Sequence, residues 1–167
     1  MTTTNSQGQK INKPDYVVSL EGSYGAPSQS GWGSAVFFEH VKDGEDLEKA
    51  ALEKYQYFVG ELWDRFGEDA WMSAWKQVYT RPSNSKPDIV AELKNIADFE
   101  ASQSVPMILD VIQNADQARA TLALVYDHKD VVDLMVYNLG DGGAMLGLSV
   151  VGRRKNGETT FLLFIYD

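Results

Sequence analysis

The chain contains no cysteine. That excludes disulfides, zinc–thiolate centres and a thiol nucleophile, and we place the chain in a reducing cytoplasm. Long apolar runs are also missing, since none approaches the ~20 residues needed to span a bilayer. The opening stretch, Met1–Gln7, has no basic segment leading into an apolar core, so no secretory leader is expected. Positive charge is scarce, with 15 Lys and Arg against 24 Asp and Glu and a net charge of −9. Nucleic acid and anionic membrane surfaces both attract Lys and Arg, so neither is expected as a partner.

What the chain does have is a globular composition, 44% apolar and 11% aromatic over 167 residues. That is enough to bury a core without covalent or metal staples. Residues 1–12 are polar and are expected to be a flexible tail. Residues 13–167 are read as a single α+β domain. The last third carries three apolar segments, Val131–Leu139, Ala144–Arg153 and Thr159–Tyr166. They are separated by the turns Gly140–Gly143 and Arg154–Glu158, and we read them as a three-stranded meander. Phe161–Tyr166 is apolar on both faces, which predicts an interior strand covered on both sides, by helices or by a second subunit.

Asp15–Leu20 and Trp32–His40 are rich in β-branched and aromatic residues. They are predicted to be two strands of an N-terminal hairpin around the loop Glu21–Gly31. Three to five helices are expected between this hairpin and the meander. The first runs from about Asp43 or Gly44, either of which can cap it, to Phe66. Its apolar stripe is Leu47, Ala51, Tyr55, Phe58, Leu62 and Phe66. Glu68–Tyr79 is a second helix with Trp71 and Trp75 one turn apart. Pro87–Phe99 is a third, Ser104–Gln113 leans to a short fourth, and Ala115–Tyr126 follows behind an Asn114 cap. With no alternating βαβ units, the sheet should be mainly antiparallel with its helices on one face.

No group of residues makes a catalytic constellation. Gly140-Asp141-Gly142-Gly143 resembles an anion loop only in glycine content. It lacks the following lysine and helix, so a hairpin turn explains it. Gly147 and Gly152 inside the next strand mark places where something packs close to the backbone, or bulges. Ser149 has no nucleophile elbow around it. His128 with Asp127, Asp130 and Asp133 would need His40 to complete a common metal set, and nothing in the sequence joins them. We therefore assign no catalytic residue, metal or cofactor, and lean away from an enzyme.

The charge distribution is more informative. Asp43–Asp69 holds nine acids and three bases, a net of −6 against −9 for the whole chain. Such a run is either a solvated helix face or a docking face for a basic partner. Trp63 falls off the first helix's stripe beside Asp64; it is core, or, if exposed among acids, a partner contact. Two functions follow. One is a non-catalytic acidic protein-binding or regulatory module using Trp63, Asp64, Glu68 and Asp69, with the glycine loop as an adaptable contact. The other is a small-molecule-binding domain or enzyme with a pocket between the sheet and the aromatic helices, near Tyr24, Trp32, Trp71, Trp75 and Asp141. A homo-oligomer is a third option, since Arg153-Arg154-Lys155 is opposite in sign to the acidic helix.

Overall fold

The computed structural model describes residues 2–4 and 10–167, with side chains from Lys13 onward. Of the stretch expected as a tail, residues 1 and 5–9 lie outside the described residues. Within it, β1 (Thr2–Thr4) and β2 (Lys10–Asn12) pair antiparallel.

The main body is α+β. One antiparallel five-stranded sheet has the order β3-β7-β6-β5-β4. Its strands are β3 (Gly33–His40), β4 (Lys76–Thr80), β5 (Val131–Gly140), β6 (Leu146–Arg154) and β7 (Glu158–Tyr166). The C-terminal meander is present with boundaries within two residues of the expected ones. β7 is interior, paired with β3 on one side and β6 on the other. Its alternation sends Phe161, Leu163 and Ile165 into one core and Leu162 into the other. That explains why the segment is apolar at every position.

The helices cover both faces of the sheet, not one. On the first face lie α1 (Asp15–Tyr24), α5 (Ile89–Lys94), α6 (Phe99–Leu109) and α7 (Ala115–Tyr126). Their Leu20, Ile89, Ile108 and Leu122 meet Val36, Val136, Val150 and Leu162 of the strands. On the second face lie α2 (Leu47–Val59), α3 (Leu62–Phe66) and α4 (Glu68–Met72). These bury Ala51, Tyr55, Phe58, Trp63 and Trp71 against Phe37, Tyr137, Phe161 and Leu163. Two apolar sheet faces need two helical layers, and this chain supplies both itself.

Several local expectations are corrected. Asp15–Leu20 is a helix, so there is no N-terminal hairpin, and β3 pairs with β7 instead. Pro14 occupies the N-cap, with its carbonyl accepting from Val17 N at 3.0 Å, and Asp15 stands in the first turn. The buried positions Val17, Leu20 and Tyr24 have helical spacing. The six residues Asp15–Leu20 do not by themselves separate helix from strand, and the next buried position, Tyr24, lies beyond Gly22. The helix expected over Glu68–Tyr79 stops at Met72, and Lys-Gln-Val-Tyr-Thr forms the edge strand β4. Three successive Val, Tyr and Thr residues favour the pleated surface once a neighbouring strand is available. Helix α5 begins at Ile89, not Pro87, where the Asp88 carboxylate accepts from Ala91 N. Ser104–Leu109 belongs to α6, which starts at Phe99 behind the Asp98 cap and tolerates Pro106 inside it. Asn114 does stand at the N-cap of α7, in a left-handed conformation (φ 57°) and without a side-chain cap bond.

The longest helical expectation, to Phe66, breaks at Gly60. There φ is +66° and the cap N–H bonds to Gln56 O. The helix begins later than expected as well, with Asp46 as the N-cap accepting from Lys49 N at 3.1 Å. The break resets the helical phase. Before it, Tyr55 and Phe58 point inward as the stripe requires. After it, Trp63 turns in, 5% exposed, and Phe66 turns out, 50% exposed.

Candidate functional site

The second face is built around Tyr55. Its hydroxyl donates to Trp71 O at 2.8 Å and accepts from Gly140 N at 3.2 Å, tying α2 to α4 and to the end of β5. Trp75 stacks on the Tyr55 ring at 5.5 Å and on Tyr137 at 4.6 Å. Trp63 and Trp71 present edges to Tyr55 at 5.2 and 6.3 Å. Because the helix ends at Met72, Trp71 and Trp75 do not share a helix face; they bracket Tyr55, one edge-on and one face-on. Burial pushes the hydroxyls of Tyr55 and Tyr137 up, the latter to about 12, so both remain neutral donors at physiological pH.

This slab fills the space between the sheet and the aromatic helices where a ligand pocket was considered. Trp63 and Trp71 are core residues rather than contacts for a partner, and Trp75 is half-buried with its indole N–H on Glu48 Oε2 at 2.9 Å. Tyr24 is also core, on the opposite face, donating to Ile108 O at 2.9 Å. Asp141 accepts from Gly143 N and Met145 N, which makes it the brace of its own hairpin turn. The structure does not bring Tyr24, Trp32, Trp71, Trp75 and Asp141 together around a common space. Two clefts of about 330 and 340 Å³ lie elsewhere. One is lined by the uncharged residues Ser23, Ser34, Gln113, Asn114 and Gln117, the other by Glu39, His40, Asp46, Lys49 and Glu53.

The close approaches expected at two glycines are present. A Cβ on Gly147 would stand 1.9 Å from Phe164 O, and one on Gly152 would stand 2.7 Å from the Tyr126 ring. The basic turn is spent internally. Arg153 is buried, bonded to Asp133 Oδ2 at 2.8 Å and to Lys42 O at 3.0 Å. Arg154 lies over the Tyr16 ring at 3.6 Å and donates to Val125 O, and Lys155 pairs with Asp130. His128 Nδ1 accepts from Asp130 N at 3.0 Å. Among the described residues, no group of three or more His, Asp or Glu is placed to hold a metal ion. No helix among them is long and apolar enough to cross a membrane.

The acidic stretch is arranged differently. All nine acids between Asp43 and Asp69 are exposed, including Asp64, Glu68 and Asp69. Of the three bases, Lys54 is bound to Glu39 and Arg65 to Glu61. The phase reset at Gly60 sets Phe66 among these acids, and Tyr57 on α2 is also exposed, at 43%. On the flank, Trp32 is 59% exposed, with its indole N–H 3.3 Å from Asp167 Oδ1. Neither Phe66 nor Tyr57 was a sequence candidate. The available signal was Gly60, a residue that costs about 1 kcal/mol inside a helix and so marks a break. Compared with protein-family models, curated proteins and solved structures, the chain matches none.

Proposed function

We propose that this chain is a non-catalytic, acidic protein-binding or regulatory module of the cytoplasm, whose α2–α4 face docks a basic partner. The observation that carries this reading is that all nine acids are exposed, on α2–α4 and on the turn leading into α2. Of the nine, Asp46 caps α2, Glu45 accepts from Lys42 N, Glu48 from Trp75 Nε1 and Glu61 pairs with Arg65, while Asp64, Glu68 and Asp69 face water. The filled aromatic slab argues against a small-molecule pocket between the sheet and the aromatic helices. The net charge of −9 disfavours nucleic acid and anionic membranes. Self-association through opposite charge loses two of the cluster's three cations, because Arg153 and Arg154 are engaged within the fold.

The test is affinity capture from a cytosolic extract, comparing the wild-type chain with an Asp64→Lys/Glu68→Lys/Asp69→Lys variant at low and high salt. Exposed charges are screened over about 8 Å at physiological ionic strength, so a charge-driven partner should elute as salt rises. A basic protein retained by the wild type and lost from the variant is expected. Equal retention by both would remove the proposal.

A further inference from the structure

We infer that the docking face carries an apolar strip, Trp32–Leu62–Phe66, and that its occupant is a basic amphipathic peptide segment of another protein. This deepens the acidic-face reading above and rests on it.

The strip is built by the break at Gly60. The loop before β3 folds onto this corner, with Gly31 N donating to Phe58 O at 2.9 Å. Gly31 lies so close that a Cβ there would stand 3.1 Å from Leu62 Cδ1. Trp32 is the next residue, with its indole N–H 3.3 Å from Asp167 Oδ1, and Phe66 is one turn beyond Leu62 on α3, so the three residues meet at this corner. Trp32 is 59% and Phe66 50% exposed, and Leu62 is half-buried. Folding gains little from leaving two large aromatics in water, whereas such residues dominate the energetics of interfaces.

Charge selects the occupant. Asp64 and Glu68 are exposed on and beside α3, and Glu61 is exposed and paired with Arg65. A neutral apolar partner would cover the strip but desolvate these carboxylates without compensation. An acidic partner would be repelled. A purely basic segment would satisfy the carboxylates and leave the aromatics in water. A segment with apolar anchors flanked by Lys or Arg meets both demands. A second copy of this chain is a poorer fit, because Arg153 and Arg154 of its basic cluster are bound to Asp133 and Tyr16, which leaves only Lys155 of the three exposed.

Three labelled synthetic peptides of equal length test this by fluorescence anisotropy. One carries Lys and Arg around Leu and Trp anchors, the second keeps the charges and replaces the anchors with Ser, and the third keeps the anchors and replaces Lys and Arg with Glu. The first is expected to bind best. Its affinity should fall about tenfold with Trp32→Ala or Phe66→Ala, as for an interface hot spot. Phe66 stacks on Trp71 at 6.0 Å, so Trp32→Ala serves as the variant that leaves the core untouched, with unchanged melting as its control. Equal binding of the first two peptides, unaffected by Trp32→Ala, would overturn the strip while leaving the acidic face standing. Binding of the first peptide that survives Asp64→Lys/Glu68→Lys would instead remove the acidic-face reading. No binding of any peptide overturns the inference. So does light scattering that shows a dimer which Trp32→Ala dissociates, since the occupant would then be a second copy.

Discussion

Arg81 holds Glu92 through two parallel contacts, Nε to Oε2 at 2.8 Å and Nη2 to Oε1 at 2.6 Å. Both side chains are nearly buried, 7% and 11% exposed. Arg81 also donates to Tyr126 O at 2.8 Å, and Tyr79 donates to Glu92 Oε2 at 2.6 Å. The pair thus pins the end of β4 to α5 and α7. Removing one partner strands a buried charge, which typically costs about 3–5 kcal/mol, whereas removing both costs far less. Arg81→Met should therefore lower the urea midpoint strongly, and Arg81→Met/Glu92→Met should recover much of the loss. A single variant within about 1 kcal/mol of wild type would contradict the buried-pair geometry.

Acid should unfold the protein partly through this pair. Burial alone would raise the Glu92 carboxyl, but hydrogen bonds from Arg81 and Tyr79 and the Arg81 charge outweigh it and hold it below its ordinary 4.5. Asp98 is also held low, by Ala101 N and then Lys76. A depressed folded-state value means the stabilisation is fully present above the ordinary value and is lost as pH falls through the folded one. Asp127 opposes this, since burial raises its carboxyl. Melting temperature measured downward from pH 5 should fall, and fall less steeply in Glu92→Gln. Parallel curves for the two proteins would exclude this role for Glu92.

Gly147 and the last strand make a third prediction. An alanine at 147 would drive its Cβ into Phe164 O, 1.9 Å away, so the β6–β7 ladder must shift. Backbone shifts of this kind cost about 1–3 kcal/mol or more. Gly147→Ala should lower the melting temperature by several degrees on circular dichroism. Deleting Phe161–Asp167, which removes most of an interior strand that β3 and β6 both pair with, should abolish cooperative melting altogether. A truncated chain that still melts cooperatively would show that the sheet does not depend on β7.

Tryptophan emission offers a fourth. Trp63 and Trp71 are buried, Trp75 is stacked between Tyr55 and Tyr137, and Trp32 is 59% exposed. Acrylamide should therefore quench one component far more readily than the rest. Trp32→Phe should remove that component and blue-shift the remaining emission. If quenching is unchanged in Trp32→Phe, the corner around Gly31 and Leu62 is not arranged as described.

Much of the fold was legible wherever a segment's periodicity was complete within itself. The meander carried two glycine-containing turns between apolar segments of strand length, and α7 carried Ala118, Leu122 and Val125 on one face. Asp15–Leu20 reads as a strand because the third buried contact of its helix, Tyr24, lies beyond Gly22 in a glycine-rich stretch. Lys76–Thr80 was misread because a preceding helical pattern ran into it, and only the vacant edge of β5 makes it a strand. The acidic face was visible as composition. Its apolar strip was not, because Phe66 lay in phase with the helix stripe until the chain turned at Gly60.

The amino-acid order by itself determined the α+β class, the antiparallel meander, the interior character of Phe161–Tyr166 and the concentration of acid in Asp43–Asp69. Each is written in local spacing or local composition, which physics reads within a few residues. The tertiary structure decided which side chains those elements hide. It buried Trp63 and exposed Phe66 through one positive φ at Gly60. It engaged Arg153 and Arg154 within the fold and joined Arg81 to Glu92 and Asp127 across distant parts of the chain. Burial and charge pairing depend on distances between residues far apart in the chain, and no local pattern encodes those distances.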